Sequence, residues 1–116
     1  MAITFTTDKL QGLSTSVAGV YGKIQTVTVK KYDATTDPSV AARWECLYDV
    51  ILYSSASARN TDGESPTWPN RLRSPSIDHF TCTYDPTSND NPYAQAYTDL
   101  KSQLTSGSLA SSIVDA

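Results

Sequence analysis

The chain has 116 residues, enough for one domain around one hydrophobic core and too few for two. With 39% hydrophobic and 18% charged residues it reads as globular rather than disordered, and a formal net charge of -3 excludes the broad basic character of a general nucleic-acid binder. No apolar run approaches the length of a membrane helix, and Met1-Ala-Ile-Thr-Phe5 lacks the basic and apolar regions of a signal peptide, which leads us to expect synthesis and use in a cytoplasm.

In chain order, residues 3–7 are a short β-prone run followed by Asp8-Lys9 and Gly12, one arm of an expected N-terminal hairpin. Residues 13–21 mix Ser, Thr, Val and glycine and read as a weak strand. Residues 23–32 form the first strong strand: Gln25, Val27 and Val29 fall on one side, and Thr26, Thr28 and Lys30 on the other. A turn carrying Asp37-Pro38 follows.

Residues 43–53 give the longest expected strand. Trp44, Cys46, Tyr48, Val50 and Leu52 share its core face, while Arg43, Glu45, Leu47, Asp49 and Ile51 make a mixed face that something besides solvent partly covers. Residues 54–75 are rich in breakers (Asp62-Gly63, Ser65-Pro66, Trp68-Pro69, Ser74-Pro75) and read as a long loop. Residues 76–84 form another strand with Phe80, Cys82 and Tyr84 inward and His79, Thr81 and Thr83 outward. Asn91-Pro92, closing the run Ser88-Asn-Asp-Asn91, supplies a cap and a first-turn proline. From there Tyr93, Ala96, Tyr97, Leu100 and Leu104 recur at helical spacing as far as Ser106-Gly107. Leu109, Ile113 and Val114 place a second short helix over residues 109–114.

The chemistry-bearing residues are sparse. One histidine, His79, and no nucleophile in an activating context give a hydrolytic triad almost no material, so an enzyme is not expected, nor a cofactor or small-molecule substrate. Asp85, Asn89 and Asp90 can offer oxygens to a hard cation, but helix capping explains them better and no metal is expected. Cys46 and Cys82 are read as reduced, buried thiols in preference to a bridge. Thr26, Thr28, Lys30, Arg43, His79, Thr81 and Thr83 would together make a hydroxyl-rich, mildly basic sheet surface able to hydrogen-bond RNA, or an ordinary solvent face. Arg59, Trp68, Arg71 and Arg73, from the long loop, suit a contact between subunits, or a solvated loop.

The order of elements, and above all Ser76-Ile-Asp-His-Phe-Thr-Cys-Thr-Tyr84 leading to Tyr97-Thr-Asp-Leu-Lys-Ser-Gln-Leu104 and Leu109-Ala-Ser-Ser-Ile-Val114, resembles the coat proteins of single-stranded RNA bacteriophages. The resemblance implies an α+β fold: an antiparallel meander with an N-terminal hairpin region (1–22), a sheet (23–84) containing the loop 54–75, and two C-terminal helices (91–116), the whole chain being one coat domain. It implies a homodimer with a joined sheet, a helix seam of Tyr93, Tyr97, Leu100 and Leu104 lying over the partner, and assembly into an icosahedral shell in a bacterial host's cytoplasm. It also implies packaging of single-stranded RNA on the inner face through Thr26, Thr28, Lys30, Arg43, Glu45, His79, Thr81 and Thr83. Two alternatives stand beside it: a decoration, neck or tail accessory protein of a double-stranded DNA phage, which needs no helix crossing onto a partner, and a carbohydrate-binding module using Trp68 and tyrosines as stacking platforms.

Overall fold

A computed structural model describes residues 2–13, 15–33, 41–62 and 71–116. Among the described residues nine elements follow one another: β1 (Ile3–Thr7), β2 (Val17–Tyr32), β3 (Arg43–Tyr53), α1 (Ala56–Asp62), β4 (Arg71–Leu72), a 3-10 turn (Pro75–Ile77), β5 (His79–Thr83), α2 (Pro92–Ser106) and β6 (Ser111–Asp115). The result is an α+β domain built on one six-stranded antiparallel sheet. The order is β6, β1, β2, β3, with β4 and β5 sharing the far edge of β3: β4 beside Leu52 and Tyr53, β5 beside residues 45–49.

The N-terminal hairpin is present, but its second arm is not a separate weak strand. β2 runs unbroken through Gly22, pairing with β1 at its start and with β3 along most of its length. Sequence reading split it because glycines interrupt a strand pattern, yet each has a place. Gly19, at φ +71, sits where β2 carries one more residue than β1 between the pairs Phe5↔Val20 and Thr7↔Val17, the backbone of a β-bulge. Gly22 lets Phe5 approach, since a Cβ there would lie 3.0 Å from the Phe5 ring.

Two further expectations are corrected. The segment 109–114 is not a second helix: after α2 the chain turns at Gly107 and Ser108 (φ 54) and returns as β6, paired with β1. Leu109, Ile113 and Val114 fit a helical stripe, but β-branched Ile113-Val114 next to an unfilled sheet edge fits a strand as well, and the edge supplies ladder hydrogen bonds that an isolated short helix lacks. The strand expected over residues 76–84, β5, begins at His79, because Pro75–Ile77 is a 3-10 turn whose Ile77 is buried. Within 54–75, residues 56–62 form α1; Ser55 Oγ accepts from the Ala58 amide at its start.

The core lies between one sheet face and α2. Ile3, Phe5, Val20, Ile24, Cys46, Tyr48, Val50 and Leu52 meet Ala96, Tyr97, Leu100 and Leu104 of the helix. α1 covers one end of the opposite face, where Ile51, Tyr53 and Ala58 are buried with Tyr21 against them. This is the cover that the mixed face of β3 called for.

Candidate functional site

α2 begins with Asn91, whose side chain accepts from the Ala94 amide at 2.8 Å, and with Pro92 in the first turn, as the sequence indicates. Its apolar stripe closes on the sheet of its own chain. Leu100 and Leu104 are fully buried and Tyr97 nearly so. The Ile24 amide donates to Tyr97 Oη at 2.8 Å, and Tyr93 Oη donates to the Gln25 carbonyl at 3.4 Å. Both contacts fall where the β2–β3 register slips by one residue between Ile24 and Thr26. Tyr48 Oη donates to Asp99 at 2.6 Å, and burial followed by this bond pushes the Tyr48 phenol far above its ordinary range. The residues expected to form a seam over a partner are therefore core and docking residues of a single chain; of the four, only Tyr93 stays exposed. An apolar helical stripe specifies that a sheet covers it, and a short return loop makes its own sheet the nearest one.

On the other side of the sheet, the half of the β2–β3–β5 ladder that α1 leaves uncovered is open. Registers align three rows: Thr26, Asp49 and His79; Thr28, Leu47 and Thr81; Lys30, Glu45 and Thr83. A fourth pair, Tyr32 and Arg43, closes the end. All eight residues expected on a binding face thus share one surface, and all but half-buried Glu45 are exposed. Leu47, Asp49 and Tyr32 belong to it too; strict alternation along the two strands was the signal for them. A shallow depression among Thr28, Lys30, Leu47, Asp49, His79 and Thr81 marks its middle.

The charges on this surface neutralise one another. Lys30 lies opposite Glu45 and Asp49 opposite His79. Arg43 is engaged within the chain, with its guanidinium 4.4 Å over the Tyr32 ring and Nε 3.4 Å from Glu45 Oε1. His79 Nδ1 is 3.6 Å from Asp78. Two cations, two carboxylates and one histidine give no concentrated positive field of the kind that gathers phosphates.

The arginines of the 54–75 segment do not cluster here. Arg59, on α1, lies 5.9 Å over the Tyr53 ring, and Arg71 Nε donates to the Leu72 carbonyl at 3.2 Å. Arg73 is exposed, and its carbonyl accepts from Gln11 at 2.7 Å. Trp68, like the Asp37-Pro38 turn, lies outside the described residues. Asp85 Oδ1 accepts from both the Thr87 hydroxyl at 2.7 Å and the Thr87 amide at 2.9 Å, bonds that lower its carboxyl below the usual range.

No protein-family model, curated protein or solved structure matches the chain. Geometry therefore carries the functional reading.

Proposed function

We propose that the chain is a non-catalytic structural subunit of a phage particle, of the accessory kind found in decorations, necks and tails, which folds alone and assembles through its sheet. One observation carries this reading: α2 is closed over its own sheet, while the outer half of β2 remains open. β1 reaches β2 no farther than Gly22, so among the described residues no strand lies beside the outer edge of residues 26–32. Exposed Lys30 and Lys31 stand on that stretch, the type of charge that keeps an edge from pairing indiscriminately before assembly. An open edge beside an open polar face suits docking onto a larger surface without any exchange of helices. An antibody against the chain is expected to label intact phage particles purified from cells that carry its gene, with the isolated chain sizing as a small species. Label confined to particle-free fractions would remove the virion reading.

A second reading, the RNA-packaging coat subunit, is favoured by the gathering of Thr26, Thr28, Lys30, Arg43, Glu45, His79, Thr81 and Thr83 on one face opposite the helix. It predicts closed shells with nuclease-protected RNA when the chain is expressed alone, and reduced RNA content in Lys30→Ala/Arg43→Ala. The balanced charge of the face ranks it second, because affinity for phosphate grows with the number of cations that meet it.

A further inference from the structure

Cys46 and Cys82 are far apart in sequence, yet β3 and β5 set them directly opposite each other. Both side chains point to the helix side of the sheet, and the two thiols are within hydrogen-bonding reach of one another. The ladder identifies the kind of pair. The Val50 amide donates to Asp78 and the Tyr84 amide to Trp44, so hydrogen-bonded pairs recur at 44↔84 and 50↔78, and two-residue alternation places Cys46↔Cys82 among them. Such a pair holds its Cα atoms ~5.5 Å apart, inside the range of about 4.4–6.8 Å that a disulfide spans, while its Cβ atoms start at the wide end of ~4.5–5.5 Å, so closure must draw the strands together and leaves a strained, readily reduced bond. Both thiols are free in the structure.

We propose that Cys46 and Cys82 form a reversible cross-strand disulfide, a modification site that staples the edge strand β5 to β3 when the protein meets an oxidising environment. Oxidant reaches the pair from one side. Cys46 is buried, whereas Cys82 is partly exposed and borders a groove between β5 and α2 that is also lined by Asp90, Gln95, Thr98, Asp99 and Ser102. With a small disulfide such as oxidised glutathione, the Cys82 thiolate attacks one sulfur, giving a mixed disulfide and releasing one glutathione thiolate, which takes up the proton lost from Cys82. The Cys46 thiolate then attacks Cys82 Sγ and expels the second glutathione, which is protonated in turn. In balance, two protein thiols become one disulfide, and one glutathione disulfide is reduced to two thiols.

The site sets the rate. Burial, then the charge of Asp99, pushes the Cys82 thiol up to about 12, and burial likewise raises Cys46. The carboxylates of Asp90 and Asp99 line the groove and Tyr48 lies beside the pair; among the described residues no cation lines it. Closure is therefore slow at neutral pH, and its rate should grow about tenfold per pH unit between roughly pH 7 and 10 as the thiolate fraction grows.

The test is exposure of the full folded chain to oxidised glutathione, followed by alkylation, intact mass measurement and peptide mapping. Expected are a monomer lighter by two hydrogens, a linked pair of peptides carrying Cys46 and Cys82, and ready reversal by dithiothreitol. In Cys46→Ser, Cys82 is expected to stop at the mixed disulfide with glutathione; in Cys82→Ser, Cys46 is expected to stay unmodified. Two alkylatable thiols persisting at pH 9 under conditions that oxidise the urea-unfolded chain would overturn the proposal. Disulfide-linked dimers or glutathione on both cysteines would overturn it equally.

Discussion

Tyr97 has two tasks in one side chain: its ring fills the core and its hydroxyl oxygen accepts the Ile24 amide at the β2 irregularity. Tyr97→Phe keeps the ring and leaves that amide without its acceptor, so urea denaturation is expected to show a loss of about 1–3 kcal/mol. Tyr93→Phe, at an exposed site with a longer bond, is expected to stay within about 0.5 kcal/mol of the parent. Leu100 is fully buried, and Leu100→Ala should cost about 2–5 kcal/mol in the isolated chain at any protein concentration. Asp85 responds to pH instead. Its carboxyl is held low chiefly by the Thr87 hydroxyl, so its contribution is present above its unfolded value of about 4 and is lost as pH falls through the folded value. Thr87→Val is expected to raise the Asp85 midpoint in an NMR titration; an unmoved midpoint would assign the shift elsewhere. At this scale the alternation of Cys46, Tyr48, Val50 and Leu52 against Glu45, Leu47 and Asp49 was readable from sequence, because side-chain direction in a strand is local geometry. The meeting of Cys46 with Cys82 was not, since it depends on register across the residues between them.

α2 was legible as an element because cap, proline and stripe agree, and Asn91→Ala is expected to lower stability by about 1 kcal/mol, read from the denaturation midpoint. What covers its stripe was not legible, since apolar spacing is the same for a helix on its own sheet and one on a neighbour's. β6 was misread for a related reason. Five residues carry too little periodicity to separate strand from helix, and the free edge of β1 decides. α1 hid among breakers because seven residues with little apolar content fall below what pattern detects. Gly22 ties β1, β2 and β3 together: a methyl added there meets Phe5 at 3.0 Å and Ile3 and Leu52 at 3.6 Å. Gly22→Ala is therefore expected to destabilise by about 1–3 kcal/mol, through overpacking rather than backbone strain.

The whole molecule is drawn out by β2, whose 16 residues at ~3.3 Å each match the 50 Å long axis. Its radius of gyration, 15.8 Å, exceeds the ~13 Å of a compact domain of this length. One end is covered on both faces by α1 and α2; the other presents, among the described residues, an open edge and a charge-balanced face. Sequence reading anticipated that face because strand alternation predicts it, and tied it to a two-chain building block because the resemblance did. The structure places the helix over the sheet of its own chain and leaves the open face separate from it. Thermal unfolding over a hundredfold range of protein concentration, with mass measured in solution, tests this most directly. A fold whose α2 is buried on its own sheet keeps the same Tm throughout at the mass of one chain, whereas a Tm that climbs with concentration alongside a two-chain mass would contradict it.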